Sequence, residues 1–276
     1  MAELVGQPSL AAEYRVRAKT MAQALRALWN PRQRIFADRL PGGRLSPVVT
    51  PGGMIPLLAG AATAAQARAS VGLLTDQRQF WSHYPIPTLS MADARFTDED
   101  VYSSYWNGRT WLNINWLVAE GLMRYGFRRT AAELIRRTLE MISATGMPQS
   151  LENYHPRQKY RYEFSHNCFW YGWSGLANDL LRRILGIQPR LDRRRLELAP
   201  LWMDGLQEAQ VSNLQVGRHN VTLEYRREPR RAIRIRVAGA PGLIAVAGGR
   251  ETRLARNGAT VRVRAGENPG RHWMAD

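Results

Sequence analysis

The chain has 276 residues, a hydrophobic content of 45% and a formal net charge of +16, so it can bury a sizeable core and is ordinary globular in make-up. No run approaches the roughly 18 apolar residues of a membrane span, and the single cysteine, Cys168, excludes an internal disulfide. Lys19 and Lys159 are the only lysines among 39 basic residues, a skew that reads as coding bias rather than a binding patch.

The opening stretch lacks a basic segment followed by an apolar one, so no signal peptide and a cytoplasmic setting are expected. Residues 9–29 predict a helix capped by Ser9, with Tyr14, Met21, Leu25 and Leu28 at helical spacing. "NPRQRIFADRLPGG" ends it. Short helices are expected around 53–60 and 63–75. Residues 84–104, with two prolines and four acids, predict a long loop of the kind that often carries function. Two helices then fall at about 109–125 and 129–145, closing near Gly126 and Gly146 and joined tightly enough to pack antiparallel. A second long loop follows over 147–167, then a helix over about 170–185 that stops at Gly186. Beyond Pro189 the pattern turns to period-two alternation in "RLELAP", "NLQVGRHNVTLEYRRE", "AIRIRVAG", "LIAVAGG" and "TVRVRAG". This predicts a small antiparallel β module in a packing or capping role. In "RREPRRAIRIR" Arg234 and Arg236 alternate with Ile233, Ile235 and Val237, as on a strand with one solvated face.

The segment "SYWNGRTWLNINWL", 104–117, sets Trp106, Trp111 and Trp116 beside Asn113 and Asn115 on a helix apolar nearly all round, hence largely buried. Buried amides cost about 1–3 kcal/mol each if unpaired. Two roles are open to them. They can hold neighbouring backbone, or they can furnish a polar pocket walled by aromatics, the make-up of a sugar site.

"YWNGRTWLNINWLVAEGLMRYG", 105–126, resembles the Y-W-R-G-x-x-W-x-N-x-N-x-L…GL-x-x-Y-G segment of glycoside hydrolase family 63 and its mannosylglycerate hydrolase-like relatives. It is more distantly similar to trehalases and other (α/α)6-toroid glycosidases. "LENYHP", 151–156, is similar to the family's E-x-Y-x-P loop, and "FSHNCFWYGWSGLANDLLRRILGI", 164–187, to its last inner helix. "GGMIPLLAGAATAAQA" and "FWSHYPIPTLS" fall where the family has similar segments. The resemblance covers about residues 10–187. It implies a mainly α chain with a C-terminal β module: residues 1–187 form the second half of an (α/α)6 toroid, and residues 188–276 form a small antiparallel β-sandwich cap.

Glycosidic cleavage uses two carboxyl groups, about 6.5–9.5 Å apart in inverting enzymes. The resemblance assigns the general base to Glu152. It implies aromatic subsites from Trp106, Trp111, Trp170 and Trp173, with Gly108, Asn113, Asn115 and Tyr154 as further substrate-binding residues. The family's general acid is an aspartate in the first half of the toroid, a segment without counterpart here. Asp93, Asp98 and Asp100 are weak substitutes. The expectation is therefore a C-terminal portion of an inverting glycoside hydrolase acting on α-glucosidic or α-mannosidic linkages. It would be inactive alone, as a truncated gene, a fragmentary gene model or one half of a split protein completed by a separately encoded N-terminal half, and prone to associate through uncovered apolar faces. Two departures from the family pattern stand out: Asn107 replaces the Arg of Y-W-R-G, and Gln158 and Lys159 replace the Thr-Gly that often follows the loop.

No cofactor or metal is expected. His83, His155, His166, His219 and His272 show no pair at ligand spacing, and one cysteine cannot build a structural zinc site. The alternative is a non-catalytic carbohydrate-binding or scaffolding remnant using the same aromatics. A basic nucleic-acid binder using Arg230, Arg231, Arg234 and Arg236 ranks last.

Overall fold

A computed structural model describes residues 5–99, 105–146, 150–158, 173–201, 206–230 and 232–264. The chain divides into two compact units, Met1–Asn178 and Asp179–Asp276. The first is mainly helical and the second is built mainly of sheets, a mixed architecture.

The first unit opens on α1 (Pro8–Arg26). Its N-cap is Gln7 with no side-chain bond, so Ser9 does not cap it. Pro8 starts the helix earlier, because its fixed φ and missing N–H suit the first turn. Ala11 is the only buried residue of α1, while Tyr14, Val16 and Met21 stand 55%, 65% and 67% exposed. Trp29, expected at the helix end, lies instead in β1 (Trp29–Asn30), paired antiparallel with β2 (Ile35–Phe36). Its ring meets Phe36 edge-on at 5.1 Å.

A 3-10 turn at Pro51–Met54 runs into α2 (Ile55–Leu58). Next comes α3 (Ala64–Leu74), opened by a capping box in which Thr63 and Gln66 bond each other's backbone. α4 (Leu112–Arg124) and α5 (Arg128–Ser143) follow one another through Tyr125–Phe127 and pack together. A Cβ on Gly121 would meet Leu57 Cβ at 2.9 Å, so α2 crosses α4 too closely for a larger residue. α5 buries Ala131, Leu134, Ile135, Thr138 and Met141 at helical spacing. On its outer side Arg136 bonds Glu133 and Glu140 at 2.9 Å, and Arg137 bonds Glu133 at 2.7 Å.

α6 (Trp173–Ile184) leads into the second unit. There β3 (Ile187–Arg190), β4 (Arg195–Leu198), β8 (Ile244–Ala247) and β9 (Arg250–Arg253) form one sheet in that order. The other sheet has the order β10 (Ala259–Arg264), β7 (Ala232–Ala238), β6 (His219–Arg227) and β5 (Glu208–Val216). Pro189 sits on the edge strand β3, where a missing donor is tolerated. The β4–β8 pair is parallel, a departure from the all-antiparallel expectation. The chain reaches β8 through the other sheet, so no hairpin dictates their direction. Inward residues of both sheets, among them Leu196, Leu198, Leu223, Ile233, Ile235 and Ala245, share one apolar core. Gly186, at φ +66°, lies so near Ala199 and Pro200 that a Cβ would come within 2.1 Å of backbone.

Candidate active site

Three loops of the first unit are sewn together by backbone bonds far apart in sequence. Thr88 N donates to Arg109 O at 3.1 Å, and Thr110 exchanges N–H···O bonds of 2.9 and 2.8 Å with Tyr154. Thr110 thus bridges Pro87 on one side and Tyr154 on the other. Tyr84 N donates to Pro156 O at 2.7 Å, and Thr110 Oγ1 to Tyr84 O at 2.8 Å. The assembly is anchored by an apolar cluster of Tyr84, Met141, Leu151 and Tyr154, which ties the loops to the end of α5.

This frame buries Glu152, which is 3% exposed. The Tyr105 hydroxyl donates a hydrogen bond to Glu152 Oε1. Tyr105 also stands edge-on to both indoles, 5.8 Å from Trp106 and 4.9 Å from Trp111. The two indoles stack at 4.1 Å and 11°. Trp111 is buried and donates Nε1–H to Tyr105 O at 3.1 Å, whereas Trp106 is 52% exposed. A carboxylate, a phenol and a two-indole platform are therefore linked in one chain of contacts.

The remaining residues divide by what they touch. Tyr154 is buried and its phenolic oxygen accepts Leu151 N–H at 2.7 Å, which closes the turn that carries Glu152. Gly108 is required by a close approach: a Cβ there would lie 1.9 Å from Thr97 O. Asn115 is 0% exposed. Its amide donates to Pro85 O at 2.6 Å and Thr138 Oγ1 at 2.8 Å, and its oxygen accepts Ile86 N–H at 3.0 Å. Every proton and lone-pair direction so used belongs to the frame, so Asn115 holds neighbouring backbone, the first of the two roles open to it. Asn113 is half-buried and its oxygen accepts Ile114 N–H at 2.9 Å. Trp170 and the side chain of Trp173 lie outside the described residues.

Two residues here escaped the sequence reading. Tyr105 stood in the quoted motif, yet nothing in a single sequence says that its hydroxyl reaches residue 152. Arg109 is buried, and its Nε donates to Asn153 Oδ1 at 3.1 Å, bracing the residue after Glu152. An Arg–Asn pair 44 positions apart leaves no periodic signal.

The loop aspartates are engaged by arginines. Arg95 grips Asp93 through Nε at 2.9 Å and Nη2 at 2.7 Å, and this bonding holds the Asp93 carboxyl at about 2, below the usual carboxylate range. Such a group carries no proton to donate at neutral pH. Asp98 pairs with Arg157 at 2.8 Å, and Asp100 lies outside the described residues. His155 Nδ1 accepts Arg157 and Gln158 N–H groups at 3.1 Å, which fixes the path of the loop after Pro156. Among the described residues no three His, Cys, Asp or Glu side chains converge on a metal position, and no helix is long and apolar enough to cross a membrane.

Residues 1–174 match the family model of the mannosylglycerate hydrolase MGH1-like glycoside hydrolase domain. The chain belongs to this family. A mannosylglycerate hydrolase of Thermus thermophilus is 35% identical over 126 residues, 44% of this chain and 28% of that protein. The chain thus spans about a quarter of the length of that curated relative. The crystal structure of a family 63 mannosylglycerate hydrolase from Thermus thermophilus in complex with glucose superposes with a TM-score of 0.54 at 26% identity. That match covers 66% of this chain and 43% of that one. A sialidase structure superposes over 95% of this chain and 25% of its own with a TM-score of 0.70. At 18% identity this likeness concerns the fold alone.

Proposed function

We propose that the chain supplies the general-base half of an inverting glycoside hydrolase acting on α-mannosidic or α-glucosidic linkages, mannosylglycerate among the candidate substrates. The observation that carries this reading is the buried Glu152 carboxylate held by Tyr105 beside the stacked Trp106 and Trp111, in a chain of this family. In this reading Glu152 takes a proton from the attacking water, and the exposed Trp106 indole, backed by the buried Trp111, receives the apolar face of a sugar ring. Tyr105 keeps the carboxylate aimed while the water moves.

The general acid comes from a partner segment corresponding to the first half of an (α/α)6 toroid. Residues 1–187 are the second half and residues 188–276 a β-sandwich cap. Two observations support this: the arginine-bound state of Asp93 and Asp98, and the uncovered Tyr14, Val16 and Met21 of α1. The test is hydrolysis of mannosylglycerate, α-mannosides and α-glucosides by the chain alone and after mixing with a polypeptide carrying the family's preceding segment. Turnover is expected only in the mixture and is lost in Glu152→Gln. Robust turnover by the lone chain that survives Glu152→Gln overturns the reading.

The exposed face of Trp106 favours a second reading, a carbohydrate-binding remnant without catalysis. Sugar binding that is untouched by Glu152→Gln but lost in Trp111→Ala, with no turnover in the mixture, selects it.

A further inference from the structure

The second unit carries a concavity that the glycosidase reading leaves unused. It lies on the open face of the β10-β7-β6-β5 sheet, has a volume of about 710 Å³, and is lined by Glu208, Gln210, Glu224, Arg226, Arg234 and Arg236 among others. The opposite face of the same strands, with Leu223, Ile233, Ile235, Val237 and Val261, is the buried core.

Strand register places Arg226 opposite Arg234, and Arg234 opposite Arg262. Three guanidinium groups therefore stand in one row across adjacent strands, stepped at about 4.8 Å in the hydrogen-bonding direction. Like charges directly opposite one another weaken a sheet. Among the described residues, neutralisation from within is partial. Glu228 reaches Arg262 at 3.0 Å and Arg234 at 3.5 Å, and Glu208 meets Arg226 only at 3.8 Å, with both side chains largely exposed. The next row along the strands sets Gln210, Glu224, Arg236 and Thr260 side by side.

We propose that this face binds an acidic polysaccharide, whose carboxylates lie on the Arg226–Arg234–Arg262 row and whose hydroxyls bond the row of Gln210, Glu224 and Thr260. The guanidinium fork takes a carboxylate through two parallel bonds. Carboxylate and amide oxygens accept from sugar hydroxyls, which a purely basic patch does not offer. A nucleic acid fits less well. None of the groove's outward residues is an aromatic on which a base can stack, and a DNA backbone has no free hydroxyls for Gln210 and Glu224 to accept from. A neutral glycan would leave the arginine row unanswered.

The experiment measures binding of the intact chain to polygalacturonate oligomers, to neutral dextran and to duplex DNA, together with thermal unfolding. A net charge of +16 makes general attraction to anions the rival explanation. A charge-matched control therefore carries Arg17→Gln, Arg68→Gln and Arg129→Gln on the first unit. Polygalacturonate is expected to bind and dextran not. The Arg226→Gln, Arg234→Gln, Arg262→Gln variant loses affinity by on the order of tenfold or more, while the control keeps it. The melting temperature of the row variant changes little, because like-charge pairs and the exposed ion pairs to Glu228 and Glu208 are lost together. Arg234→Gln alone, in the centre of the row, shifts binding in the same direction. Equal losses in control and row variant, unchanged binding in Arg234→Gln, equal binding of dextran, or tighter binding of DNA than of polygalacturonate overturns the proposal.

Discussion

The hydroxyl of Tyr105 donates to the Glu152 carboxylate across 47 residues of sequence, and the same ring stands edge-on to Trp111. One side chain thus couples the candidate base to the aromatic platform. Tyr105→Phe keeps the ring contacts and deletes the donor. A hydrogen bond to a charged group is worth about 1.5–3 kcal/mol, so turnover in the reconstituted mixture is expected to fall roughly tenfold to a hundredfold. Glu152→Gln should cost about a hundredfold to ten-thousandfold. Initial-rate measurements on mannosylglycerate read both, with KM expected to change little for Tyr105→Phe.

Asn115 is the polar centre of the frame, with three bonds and no exposure. Asn115→Ala strands Ile86 N–H and Pro85 C=O in the buried interior. The expected loss is about 2–4 kcal/mol, from two buried groups each left without this partner. Urea denaturation checks it: the midpoint should fall with the slope unchanged.

Gly108→Ala tests the close approach to Thr97. The added methyl has no room against a carbonyl 1.9 Å away, so the loops carrying residues 97 and 108 must part. A loss of about 1–3 kcal/mol is expected, with faster protease cleavage within residues 84–99 than in the parent chain.

The α5 surface predicts a small acid dependence. The Glu133 carboxyl is held at about 2 by hydrogen bonds from Arg136 and by Arg137. Its folded value lies below its unfolded one, so the contribution is complete above the usual glutamate range and fades as pH falls through about 2. The side chain is 37% exposed, so solvent screening keeps the stabilisation to less than about 1 kcal/mol. In Arg136→Met the Glu133 carbon resonance should titrate at higher pH, while melting near neutral pH barely moves. An unshifted titration would contradict the assignment.

The sequence by itself determined the local elements. Periodicity placed α4, α5 and most strands within a few residues, because a helix or strand is written in neighbours three, four or two positions apart. Motif spacing placed the chain in its family and pointed to residue 152. Gly126 and Gly186 marked helix ends, since a left-handed residue is a local requirement. The tertiary structure decided the rest. The ladder of residues 88, 109, 110 and 154, the Tyr105–Glu152 bond, the Arg109–Asn153 brace and the parallel β4–β8 pair all join positions dozens apart. Such pairings depend on how loops close over a core. Asn113 and Asn115 look alike in the sequence, yet only Asn115 is sealed inside the frame, because burial is a property of what packs around a residue and not of its neighbours along the chain.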